Sequence, residues 1–96
     1  MDIYKRLQEK GIVIPELPKP VASYVPAKIF KEFIFSSGQT GTVYQKLKYV
    51  GKLGKDITVE QGRESARLAI LNCLAELEYV LGDLNKVEEI IKVTGY

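Results

Sequence analysis

Thr58–Gly82 reads TVEQGRESARLAILNCLAELEYVLG and is the longest periodic stretch of the 96-residue chain. Thr58 and Gln61 form a T-x-x-Q capping box, which marks a helix start. Gly82 accepts the positive φ of a helix C-cap and marks the end. At about 100° per residue, Ala66, Ala69, Ile70, Cys73, Leu74, Leu77, Val80 and Leu81 share one broad face. Glu60, Glu64, Arg67 and Glu78 share the opposite one. Gly62, Ala66 and Ala69 keep the start of the apolar face small, which suits a flat partner. The expectation is one long helix whose apolar face lies on a sheet built from the rest of the chain.

Composition sets the bounds. Ninety-six residues make one domain, here spanning 1–96, with 46% hydrophobic and 27% charged residues and a net charge of +2. That charge gives no reason to expect a nucleic-acid partner. No apolar run reaches the ~18 residues of a membrane span, so no membrane partner is expected. The N-terminus mixes its charges and lacks an apolar h-region, so it is not a secretory signal. A single cysteine, Cys73, forms no internal disulfide and fits a reducing, cytoplasmic setting. The chain has no histidine. Ser-His or Cys-His catalysis and ordinary zinc sites are therefore excluded, and neither metal nor cofactor is expected.

Outward from the long helix, residues 2–10 form a short helix capped by Asp2, with Ile3 and Leu7 on one face and Gly11 as its stop. Residues 14–20, IPELPKP, carry three of the four prolines and read as an extended link. Residues 1–20 thus precede a sheet-and-helix body at 21–96. Residues 21–30, VASYVPAKIF, form a strand that Pro26 confines to an edge or bulge. Residues 32–37, EFIFSS, form the clearest strand, with Phe33 and Phe35 on one side and Ile34 on the other. Both faces are expected to be buried. The link at 30–32 is short enough for a hairpin.

SSGQTGT, residues 36–42, places two glycines within four residues. It is either a plain turn or a turn whose backbone N–H groups point at a ligand. It is not a P-loop, because no G-K-[ST] follows. In 43–55, Lys46 and Lys48 alternate with Leu47 and Tyr49, as in a strand with its lysines in water. Four lysines interleaved with Tyr44 and Tyr49 also fit a nucleic-acid face, although the acidic helix face opposes a broad basic surface. After Gly82, Asp83 can cap another helix. The β-branched content instead favours a strand from near Val87, completing a right-handed strand–helix–strand unit.

PVASYVPA (20–27), FIFSSGQTG (33–41) and the run from Gly51 to Tyr96 together resemble the RidA/YjgF superfamily, in the branch with an N-terminal helix and proline link. The resemblance implies an α/β, chorismate-mutase-like fold: a mixed sheet with helices on one face. It also implies a homotrimer with ligand clefts between subunits. The implied activity is hydrolysis of reactive imines and enamines of the 2-aminoacrylate type to keto acids and ammonia. Tyr24 matches the family's cleft tyrosine, and Ser37, Gly38 and Gln39 match the turn bordering the same cleft. The family's carboxylate-binding arginine and late acidic residue belong to positions after Tyr96, as do its last helix and strands. The chain is therefore expected to be an incomplete version of a longer one, its catalytic residues unassigned. A non-catalytic ligand-binding trimer and an RNA-binding or ribonuclease module are the alternatives. In every version the long helix is expected to support the sheet without touching the ligand.

Overall fold

The computed structural model describes residues 2–17, 25–44 and 46–96. Its elements are α1 (Ile3–Glu9), β1 (Ala27–Phe30), β2 (Phe33–Ser36), β3 (Thr42–Val43), β4 (Lys46–Leu47), α2 (Val59–Leu81) and a single 3₁₀ turn at Leu84–Lys86.

α2 forms where its caps place it. Thr58 Oγ1 accepts from the Gln61 backbone N–H at 3.1 Å, and Gln61 Oε1 accepts from the Thr58 N–H at 2.9 Å. Both bonds satisfy donors that a helix start leaves unpaired. At the far end Gly82 adopts φ 80° and its N–H closes on Glu78 O at 2.7 Å.

β1 and β2 form the expected antiparallel hairpin, in the register Ala27↔Ser36 to Phe30↔Phe33. Its open end meets α2, where Ala27 is buried. Its tip projects away, leaving Phe30 and Phe35 each 63% exposed. The expectation that both faces of this strand are buried is therefore corrected: α2 is one layer, and no described element covers the other side. β3 and β4 pair as a separate two-residue ladder. The described strands thus make two antiparallel pairs rather than one mixed sheet. Of the half-exposed strand expected over 43–55, Val43 falls in β3 and Lys46–Leu47 form β4, and the chain then turns through 52–57 on bonds to Lys52 O.

The expected strand from Val87 does not form. Asp83 instead caps the 3₁₀ turn, with the Asn85 N–H donating to Asp83 Oδ1 at 2.9 Å. Residues 87–96 then run on without a ladder, and Ile90 and Ile91 are exposed. A strand needs a neighbour to take its backbone groups, and no described strand lies alongside this one.

α2 also presents a different face from the expected one. Its buried residues are Leu71, Asn72, Ala75 and Glu76. That stripe lies roughly half a turn round the helix from the apolar one. Ala66 and Ile70 are exposed, and Leu74 and Leu77 are half-buried. The reason is chemical. The element against α2 includes the loop between β2 and β3, whose carbonyl groups need donors that the apolar stripe lacks.

α1 docks on the end of α2. Tyr4 Oη donates to Glu78 Oε2 at 2.9 Å and accepts from the Leu84 N–H at 3.0 Å, while the Ile3 N–H donates to Asn85 Oδ1 at 2.7 Å. These bonds join residues more than seventy positions apart. Tyr4→Phe removes both hydroxyl bonds and leaves the buried Leu84 N–H unpaired. The expected result is a lower urea midpoint at unchanged slope.

Candidate functional site

The segment Ser37–Thr42 leaves β2 and crosses the side of α2 before entering β3. It is held from both directions. At its start the Ser37 N–H donates to Pro26 O at 2.9 Å, and the Ser37 hydroxyl donates to Val25 O. Deeper in, Asn72 Nδ2 lies 3.0 Å from Thr40 O, 3.1 Å from Thr42 O and 3.1 Å from Thr42 Oγ1. One turn further along α2, Glu76 Oε1 accepts from Gln39 Nε2 at 2.7 Å, and the same nitrogen donates to Gly38 O at 2.9 Å. Asn72 and Glu76, four residues apart, are the polar pair of the buried stripe.

Gly41 is where loop and helix come closest. A Cβ there would lie 2.5 Å from Ser65 Oγ, 2.7 Å from Ser65 O and 3.1 Å from Ser65 Cα. Glycine is needed here for close approach. Gly38 is the opposite case: it is exposed, and nothing lies within 4 Å of where its Cβ would be. The turn is thus pinned at its base and open at its crest.

The residues expected at the site separate accordingly. Ser37 and Gln39, both half-buried, commit their side chains to bonds within the chain. Gly38 faces open space. Tyr24 lies outside the described residues. Asn72 and Glu76 were assigned no role from sequence, and the expectation that α2 serves the sheet alone is corrected: α2 builds the turn. The available signal was Asn72 and Glu76 at i, i+4 as the only polar residues of the stretch Leu68–Leu77.

Burial sets the electrostatics. Glu76 is 1% exposed and Asn72 2%. Desolvation pushes the Glu76 carboxyl up to about 7. Burial also raises the Cys73 thiol; the Ser36 hydroxyl and Gln39 backbone oppose this, and the Glu76 charge adds to it. Among the described residues, no three His, Cys, Asp or Glu are placed to hold a metal ion. Behind the loop lies a cavity of about 260 Å³, lined by Val13, Pro15, Val43, Leu68 and Leu71, with Arg67 and Asn72 as polar groups.

Asn72→Ala strips the donor from three acceptors at once. The expected destabilisation is about 2–3 kcal/mol by denaturant titration, with faster amide exchange at Thr42.

Residues 4–96 match the family described as "YjgF/chorismate mutase-like, putative endoribonuclease". The chain belongs to the YjgF family. Its α/β architecture is the chorismate-mutase-like fold of that family, as two solved structures also show. One, from Shewanella oneidensis MR-1 and carrying the same endoribonuclease description, superposes with a TM-score of 0.81 at 35% identity, covering 88% of this chain and 56% of that one. Another, Atu1372 of Agrobacterium tumefaciens, described as of unknown function, superposes with a TM-score of 0.78 at 33% identity, covering 91% and 53%. The curated protein TCP17 of Trypanosoma cruzi is 30% identical over 90 residues, which are 94% of this chain and 56% of that protein. The YjgF-like chain thus spans about half the length of these relatives. Among the described residues, no helix is long and apolar enough to cross a membrane.

Proposed function

We propose that this chain contributes the turn side of a small-molecule site that hydrolyses imines or enamines of the 2-aminoacrylate type to keto acids and ammonia. The observation that carries this reading is the turn at 37–40: anchored below by Asn72 and Glu76 and open above at Gly38. Such chemistry needs groups held in place before substrate arrives, because ordering them afterwards would raise the barrier. A turn bonded to a 23-residue helix meets that need. Tyr24 is proposed to line the same cleft.

The proposed assembly is a cytoplasmic homotrimer. Its support is the hairpin, whose Phe30, Phe33 and Phe35 are exposed on one face and would be covered by neighbouring subunits. Sedimentation at micromolar concentration should give three times the chain mass; a stable monomer overturns the assembly.

The activity test is a coupled assay in which 2-aminoacrylate is generated in place and its decay followed. Wild type should speed keto-acid release. Gly38→Val, which fills the open crest, should lose most of that acceleration while keeping the fold. No acceleration by wild type removes the catalytic reading.

A second reading, a non-catalytic ligand binder, draws on the 260 Å³ cavity with Arg67 at its edge. A guanidinium beside an apolar lining suits a small monocarboxylate. Keto-acid binding that survives Gly38→Val but weakens in Arg67→Leu would favour it. The ribonuclease reading draws on the family description and on the exposed Lys46, Lys48, Lys52 and Lys55 near Tyr44. RNA affinity that does not fall with salt would count against it.

A further inference from the structure

Glu76 is the most deeply buried side chain among the described residues, yet half of its carboxyl group is unused. Oε1 accepts from Gln39 Nε2, whereas Oε2 is buried without a hydrogen-bond partner. A dry carboxylate oxygen with no donor is strongly unfavourable, and a neutral carboxyl is far less so. Ionisation of this group therefore requires a hydrogen-bond donor at Oε2, which water entering beside it would supply. Gln39 shares the carboxyl with that water. Its Nε2 bridges Gly38 O and Glu76 Oε1, so a donor hydrating Oε2 enters on the same carboxyl group as the bond that holds the turn.

We propose that Glu76 is a positioning residue that works as a protonation switch on the Ser37–Gly38–Gln39 turn: neutral, it grips Gln39 and the turn stays closed on α2; ionised, it takes up water and the turn loosens. The functional side of this rests on the proposed ligand role of the turn. The upward displacement of this carboxyl by burial puts the change near neutrality. The neighbouring groups leave it in control. On α2 the Cys73 thiol lies one turn earlier and is itself raised. β2 and β3 carry no titratable side chain. β1 carries the exposed Lys28, and the Lys86 ammonium of the 3₁₀ turn donates to Leu81 O.

The test needs no ligand. In the full chain, the ¹³C signal of the Glu76 side-chain carboxyl and the amide signals of Gly38 and Gln39 are followed from about pH 4 to about pH 9. All three should move together with one midpoint near 7. In Glu76→Gln, which keeps an oxygen for Gln39 and cannot ionise, the turn amides should stay at their low-pH positions. In Cys73→Ser the midpoint should persist. A carboxyl midpoint near the ordinary 4.5 overturns the switch. So do turn amides that ignore the carboxyl, a titration that survives in Glu76→Gln, or one that vanishes in Cys73→Ser. The wild-type carboxyl signal decides the matter even where a variant fails to fold. As a separate arm, 2-oxobutyrate binding should weaken about fivefold between about pH 6 and about pH 8 in wild type and stay flat in Glu76→Gln. Equal pH dependence in the two proteins overturns the functional side of the switch. Absence of binding at every pH overturns the ligand reading of the turn, while the spectra still judge the switch.

Discussion

Gly41→Val should be among the most damaging single substitutions in this chain, with an expected loss of about 3 kcal/mol or more. Even the first added carbon would lie 2.7 Å from Ser65 O and 3.1 Å from Ser65 Cα. These are backbone atoms in the second turn of α2 and cannot swing aside. The loop must lift instead, and lifting it pulls Thr40 and Thr42 from Asn72 and Gln39 from Glu76. Denaturant titration should show the loss for Gly41→Ala as well, somewhat smaller. Ser65→Gly should not restore either variant, because it removes Oγ and leaves the backbone contacts. Full rescue by Ser65→Gly would show that the contact is one of side chain alone. The same lifting should remove any activity that depends on the turn, at temperatures where the variant is still folded.

The second large effect is a pH dependence of stability centred on Glu76. The folded chain holds this proton up to about 7, while the unfolded chain releases it near its ordinary value of 4.5. Between those values the native state binds more protons than the unfolded state, so stability falls as pH rises. The contribution is fully present below about pH 4.5 and is lost as pH rises to and through about 7. A displacement of this size corresponds to roughly 3 kcal/mol across the window. Glu76→Gln carries no such charge. Its stability relative to wild type should therefore improve steadily over that window and level off above it. A wild-type-minus-variant difference that does not change with pH would refute the assignment. Glu76→Ala is a poorer probe, since it also removes the acceptor of Gln39 and opens a void.

Much of the architecture was available from local sequence signals. The capping box at Thr58–Gln61, the C-cap at Gly82, the Asp2 cap and the hairpin between Ala27 and Ser36 are all set by residues within a few positions of one another. Local chemistry of this kind survives in any context, and the structure reproduces it. The reading failed where the outcome depends on a distant partner. Val87–Tyr96 has the composition of a strand, but a strand exists by pairing, and no described strand pairs with it. Phe33 and Phe35 have the pattern of a core, yet stand exposed because no described element covers that side of the hairpin.

The same division runs through the site and through the long helix. Ser37, Gly38 and Gln39 could be picked out as a turn, since glycine spacing is local. Their inward bonds could not, because those depend on which stripe of α2 faces them. Periodicity placed the apolar residues Ile70, Leu74 and Leu77 together and put that face on the sheet. The folded chain instead turns Asn72 and Glu76 inward, because a loop of unpaired carbonyl and amide groups gains more from two polar side chains than from an apolar surface. By itself, then, the sequence determined that residues 58–82 are a helix and where it begins and ends, for caps and propensities act within a few residues. The tertiary structure alone decided which face of that helix is buried, and with it that a helix read as a support also holds the turn and its buried acid.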